Sequence, residues 1–189
     1  MQYNVNAIES AADDNANADQ AEANEKEEKS HGRGVNFKSA AQDRKEKFIN
    51  IAQARYNLSE NNAAQLYNLS GADAVDTLTG FDKASDRKPT LQNAIEYIRK
   101  NDGVSGVYVE VDIRNLGGLT QATSYDIAGK HFAEMASIAE KVLMQQVKAD
   151  ISRFRHGGDE FSFIVVGADA TLDAVGSALT TAQAEVAKW

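Results

Sequence analysis

Residues 154–166 read FRHGGDEFSFIVV. Gly157 and Gly158 stand between a basic pair, Arg155 and His156, and an acidic pair, Asp159 and Glu160, with strand-like apolar residues on both sides. Gly-Gly supplies the positive φ that a tight hairpin turn favours, and without Cβ atoms it lets a ligand lie against the backbone. Adjacent carboxylates repel, and a third one, Asp112, lies near the end of another strand-like run, GVYVEVDI. Keeping all three ionised is costly unless a divalent cation sits among them. Mg²⁺ prefers oxygen ligands, keeps few protein carboxylates and draws the rest from phosphates and water. The chemistry within reach is therefore Mg²⁺- or Mn²⁺-dependent work on a nucleoside triphosphate. A metal between Asp112 and Asp159 would stabilise charge during phosphoryl transfer and help activate an attacking hydroxyl. The plainer use of the same residues is a Gly-Gly turn with a solvated acidic tip.

The elements that must position these groups can be read from periodicity. Residues 106–113 alternate, with Val107, Val109, Val111 and Ile113 on one side and Tyr108, Glu110 and Asp112 on the other. ISRFR and FSFIVVG read as two strands joined by HGGDE. Between residues 106–113 and this hairpin, Phe132, Met135, Ala136, Ala139, Val142, Leu143 and Val147 form the stripe of a helix starting near Gly129. TLDAVGSALTTAQAEVAKW reads as a last helix. Upstream, Phe37, Ala41, Phe48, Ile51, Ala52 and Tyr56 make a helical stripe, Ser59 caps a short helix ending at Gly71, and TLQNAIEYIRKN reads as a third helix after a loop, DTLTGFDKASDRKP. The fold class is α+β, an antiparallel sheet covered by helices on one face.

Composition sets the limits. The 189 residues are 42% hydrophobic with a net charge of −8, which gives no basis for binding DNA or an anionic membrane surface. With no cysteine, disulfides and zinc thiolate sites are excluded. The first residues lack the pattern of a signal peptide, and no apolar run reaches membrane-spanning length. The expectation is a soluble cytoplasmic protein. Residues 1–35 hold eight acidic and three basic residues, so they carry −5 of the total and few large apolar side chains. They read as a disordered acidic tail. Residues 36–70 read as a helical extension and 71–189 as the main domain. His31, His131 and His156 show no metal-ligand spacing.

RHGGDEFSF resembles the signature of the GGDEF family, the diguanylate cyclases. Asp76 to Phe81, DTLTGF, is similar to the family's D-x-L-T-G-L opening, and Asp112-Ile113 ends a strand as the family's first metal-binding Asp does. The resemblance covers roughly residues 70–180. It implies a GGDEF or palm-like fold that condenses two GTP molecules into cyclic di-GMP, each GTP held by one domain of a facing dimer. It assigns Asp112, Asp159 and the backbone carbonyl of Ile113 to the metal. Asp159 also becomes the proton acceptor, and Glu160 supports metal or base. Gly157, Gly158 and Arg155 fall on the nucleotide.

The sequence departs from the family where GTP should be read. Arg114 replaces an Asp, Gly117 a phosphate-contacting Lys, Thr120 a guanine-reading Asn and Gly129 a guanine-reading Asp; a one-residue gap would put Lys130 at that last place. Glu110, unusual in that strand, is expected to pair with Arg114. The inhibitory R-x-x-D site before the signature is missing, since the region reads KADISRFR. The chain stops 28 residues after Phe161, so the C-terminal part of the domain, with further strands and basic residues, is expected to be missing. Two functions follow: a cyclase-like domain with weak or absent turnover, or a catalytically degenerate module that binds GTP or another nucleotide or a protein. Another palm-like nucleotidyl transferase is a third. A homodimer would form through facing tips or through the N-terminal helices.

Overall fold

A computed structural model describes residues 1–8, 37–70 and 75–188. Residues 9–36, which include the rest of the expected 1–35 tail, lie outside the described residues. The elements run β1 (Gln2–Ala7), α1 (Ala40–Tyr56), α2 (Glu60–Leu69), β2 (Asp82–Lys83), α3 (Ala84–Lys100), β3 (Ser105–Asp112), α4 (Leu116–Ala122), α5 (Tyr125–Gln146), β4 (Asp150–Gly157), β5 (Glu160–Gly167) and α6 (Leu172–Val186). Five strands form one sheet in the order β1-β3-β5-β4-β2.

The expected α+β class holds, and two details of the sheet differ. It is mixed, because β2 runs parallel to β4 over two residue pairs. Helices also cover both faces. On one face, Val107, Val109 and Val111 of β3 and Phe161, Phe163 and Val165 of β5 pack with Phe132, Ala136 and Leu143 of α5 and Leu179 of α6. On the other, Ile164 and Val166 of β5 and Phe154 of β4 pack with Ala94 of α3, against which Leu91, Ile95 and Ile98 close. The central strand β5 is therefore buried on both sides, which explains its nearly continuous apolar run FSFIVV. Gly106 allows the close cover of β3: a Cβ there would lie 2.6 Å from Ile98 Cδ1. Phe161 packs edge-on against Phe81, Phe132 and Phe163, with ring centroids 5.9, 5.7 and 5.5 Å away. Such pairs add to area burial.

The reading of residues 1–35 as a tail is corrected at its start. Residues 2–7 pair antiparallel with β3, from Gln2 opposite Asp112 to Ala7 opposite Val107. Tyr3 and Val5 are half-buried and pack on the α5–α6 core. The reason is local. QYNVNA alternates polar and apolar residues with period two, and the acidic stretch that follows hid this in a composition taken over 35 residues. The loop reading of residues 82–89 is also corrected. α3 begins at Ala84 and carries Pro89 inside it. The lost helical hydrogen bond is offset by tertiary ties: Arg44 of α1 grips the Asp86 carboxylate at 2.6 and 3.0 Å, and Thr90 Oγ1 accepts from Ala40 N at 3.0 Å. Of the predicted α1 stripe, Ala52 is buried, whereas Ile51 and Tyr56 are exposed.

Deleting residues 1–8 removes a strand and the packing of Tyr3 and Val5. The expected cost is about 3 kcal/mol, or a fall of roughly 6–12 °C in melting temperature. Thermal unfolding followed by circular dichroism checks this, and an unchanged midpoint would mean that β1 contributes no stability.

Candidate functional site

β4 and β5 form the expected hairpin, joined through Gly158 and Asp159, with Gly157 paired to Glu160 and a register irregularity between Arg155 and Gly157. Gly157 at φ 148° and Gly158 at φ 28° occupy backbone conformations that side chains other than glycine's adopt only with strain. The tip is pinned to β3, because Ile113 N donates to Asp159 O at 3.0 Å. In the β3–β5 ladder, Asp112 stands directly opposite Glu160. Directly opposed residues hold their Cβ atoms about 4.5–5.5 Å apart on one face, so both carboxylates are within reach of a single cation. These hard oxygen donors fit Mg²⁺ or Mn²⁺, with the remaining ligands left to phosphate and water. Among the described residues no cluster of three or more His, Asp or Glu side chains is gathered tightly enough to hold a metal by itself.

Asp112 and Glu160 open onto a cleft of about 410 Å³ that is also lined by Gln2, Asn4, Arg87, Glu110 and His156. Three of these, Gln2, Asn4 and Arg87, came from no sequence argument about the site. β1 brings Gln2 and Asn4, in register with Asp112 and Glu110. The first turns of α3 bring Arg87, whose Nη1 donates to Tyr108 Oη at 2.9 Å and to Glu110 Oε1 at 3.3 Å. Tyr108 Oη donates to Glu110 Oε1 at 2.7 Å. Burial, then the hydrogen bond to Glu110, pushes the Tyr108 phenol up. The expected Glu110–Arg114 pair is corrected: Glu110 pairs with Arg87, and Arg114 donates from Nε to Gln2 Oε1 at 2.8 Å. His156 lies 2.8 Å by Nε2 from Ser162 Oγ. Burial and then the Arg87 charge hold its imidazole below the usual histidine value.

Arg155 lies on the other face of the sheet. Its Nη1 donates to Asp76 Oδ2 at 2.9 Å and its Nη2 to Gly158 O at 3.3 Å, while the guanidinium stacks 4.8 Å from the centroid of the Phe132 ring. Asp76 in turn accepts from Thr79 N and Thr79 Oγ1, both at 2.8 Å. The D-T-L-T-G segment is thus a turn closed on its own Asp and clamped by Arg155 to the hairpin tip. Arg155, expected on the nucleotide, is engaged in this positioning contact. Gly117 and Gly129 offer no side chain, and the Thr120 hydroxyl donates to Leu116 O of its own helix at 2.9 Å. A second cleft of about 380 Å³, lined by Asp82, Asp150 and Arg153 among others, lies at the opposite end of β4.

No family model and no curated protein matches the chain. Solved structures do. The chain is similar to the diguanylate cyclase SiaD from Pseudomonas aeruginosa, solved with its activator SiaC, at 18% identity and a TM-score of 0.50 over 75% of this chain and 51% of that one. It is similar in the same degree, 18% and 0.50, to the coiled coil and GGDEF domain of DgcB from Caulobacter crescentus, solved with c-di-GMP, over 70% of this chain and 68% of that one. The fold is that of a divergent GGDEF-like domain. The chain spans about half the length of SiaD and about two thirds of the DgcB chain. Among the described residues of this GGDEF-like domain, no helix is long and apolar enough to cross a membrane.

The Asp76–Arg155 clamp has a pH signature. Burial opposes ionisation of Asp76, but the hydrogen bonds from Thr79 and the Arg155 guanidinium outweigh it and hold the carboxyl below its usual value of 3.8. A carboxyl depressed in the folded state gives stability that is complete above its unfolded pKa and is lost as pH falls through the folded value. Asp76→Asn is therefore expected to be less stable at pH 7 by about 1–3 kcal/mol, and its stability is expected to fall less steeply than the parent's below pH 3.8. Urea unfolding at a series of pH values checks both; parallel pH profiles would remove Asp76 from the account.

Proposed function

We propose that this GGDEF-like domain binds a nucleoside triphosphate with Mg²⁺ or Mn²⁺ at the Asp112–Glu160 cleft, and that its condensation of two GTP to cyclic di-GMP is weak or absent. The observation that carries the reading is the register that sets Asp112 opposite Glu160 at the mouth of the cleft. Asp112 at the end of β3 and the Ile113 carbonyl just beyond it, with Asp159 and Glu160 on the tip, would hold the cation, which supplies charge neutralisation for the triphosphate when bound. The Gly157-Gly158 turn leaves the backbone open to phosphate: a Cβ built at either glycine meets nothing within 4 Å. His156, held near neutrality, leaves that charge balance to the metal.

The same geometry argues against efficient synthesis. Positions 117 and 129 carry no side chain, the Thr120 hydroxyl is a short group bonded to its own helix at Leu116 O, and the cleft's arginine is engaged by Tyr108 and Glu110. Each absent contact to a charged or buried polar group costs about 1–3 kcal/mol, so three cost about 3–9 kcal/mol if they add. Aligning two triphosphates supplies much of the rate, and that is the part weakened here. A second reading, a protein-interaction module, is favoured by Ile51, Tyr56, Leu66 and Leu69, large apolar side chains left exposed on α1 and α2.

Calorimetric titration of Mn²⁺ with and without GTP tests the binding. Binding is expected to need the triphosphate and to weaken about tenfold or more in Asp112→Asn and in Asp159→Asn. Equal binding by the variants sinks the site. Chromatography of a reaction with GTP and Mg²⁺ is expected to show little cyclic di-GMP, and abundant product that is lost in Asp159→Asn would make the domain a working cyclase.

A further inference from the structure

We infer that the N-terminal strand is a specificity element of the cleft: the Gln2 and Asn4 side-chain amides hold the uncharged part of the bound nucleotide, its base or sugar. The inference rests on the nucleotide-binding reading above. Both residues line the cleft, and each is in register with one of its carboxylates, Gln2 with Asp112 and Asn4 with Glu110. Two residues apart on a strand, they point the same way at about 6.5–7 Å spacing, which suits the polar edge of a flat heterocycle or a ribose.

Charge decides which part of a nucleotide they would hold. The cleft presents Glu110, Asp112 and Glu160 against Arg87, whose guanidinium is engaged with Tyr108 and Glu110. A triphosphate must therefore enter with its cation at the Asp112–Glu160 end, and neutral amides add little to phosphate affinity. They do offer directed donors and acceptors. The Gln2 carbonyl oxygen accepts from Arg114 Nε and also from its Nη2, which fixes the amide and leaves its nitrogen as a donor. The Asn4 amide has no hydrogen-bond partner among the described residues and is exposed. No competing reader stands at positions 117, 120 or 129, as the site geometry shows.

β1 is itself held in place independently of any ligand. Tyr3 Oη and Thr180 Oγ1 of α6 lie 2.8 Å apart, and Gln183 Nε2 donates to Met1 O at 3.1 Å. The amides are thus delivered by a strand fixed to the core through Tyr3 and Val5 on its opposite side, and replacing them need not unseat the strand.

The experiment compares the full chain with Gln2→Ala, Asn4→Ala and, as a control, Asn6→Ala, which shares the strand face but does not line the cleft. Affinities for GTP, ATP, CTP and UTP with Mn²⁺ are measured beside inorganic triphosphate with Mn²⁺, and melting temperatures are recorded. Gln2→Ala and Asn4→Ala are each expected to weaken at least one nucleotide about three- to tenfold, with inorganic triphosphate, melting temperature and Asn6→Ala unchanged. If the parent binds nucleotides and both variants bind them equally well, the inference is overturned while the nucleotide-binding reading stands. It is also overturned if inorganic triphosphate weakens in step with the nucleotides. If the parent binds no nucleotide, both fail.

Discussion

The register of β3 on β5 is the constraint on which the rest depends. Eight residue pairs run from Ser105 opposite Gly167 to Asp112 opposite Glu160. On the face toward α5 and α6, Val107, Val109, Val111, Phe161, Phe163 and Val165 are each at most 1% exposed. Full burial of such a side chain is worth about 1.5–3 kcal/mol. A slip of one residue would turn that set outward and push the two carboxylates into the core. Placing Asp112 against Glu160 costs repulsion, and the apolar ladder on the reverse face holds it there. The acidic mouth of the cleft is the polar side of a register chosen by the oily side.

The hairpin tip depends on a second device, which works from the opposite face. Arg155 bridges Asp76 to the Gly158 carbonyl and lies over Phe132. Its Nε is buried without a hydrogen-bond partner among the described residues. One unsatisfied donor is the cost of a contact that ties three chain segments together. With the Ile113–Asp159 backbone hydrogen bond, the clamp fixes the tip from both sides. The two glycines then set the turn's path and contribute little to its rigidity.

The geometry of the candidate site was legible where local pattern carries it. The Gly-Gly-Asp-Glu tip, the alternation of residues 106–113 and the stripe of α5 each encode their own structure, and the structure brings Asp112 to the tip as that pattern required. The partners of the cleft were not legible. Arg87 arrives because α3 starts before Pro89, and that start depends on Arg44 gripping Asp86 from a helix more than forty residues upstream. Propensity alone ends a helix near such a proline. Arg155 reads as a ligand contact by position, but strand alternation puts it beside Arg153 on the core-facing side, where Phe81 and Phe132 lie under their guanidiniums. Counting faces along ISRFRHGG would have separated Arg155 from Asp112.

β1 is the hardest element to foresee, and the topology explains why. From β3 onward the chain runs β3-α4-α5-β4-β5-α6, which, with α4 and α5 counted together as the first helical connection, makes five parts of a β-α-β-β-α-β unit. The place left for the sixth is the sheet edge beside β3. By sequence, residues 1–35 read as a disordered tail, and further strands of the domain are expected only at its C-terminal part. In the structure, β1 occupies that edge, antiparallel to β3, with Met1 and Tyr3 bonded to α6. An edge strand needs only a matching backbone and one apolar face, and neither condition fixes which end of the chain supplies it. The edge beside β3 is therefore supplied from the N-terminal side of the described residues. The same placement shapes the site, because it sets the amides of Gln2 and Asn4 in register with Asp112 and Glu110 at the cleft.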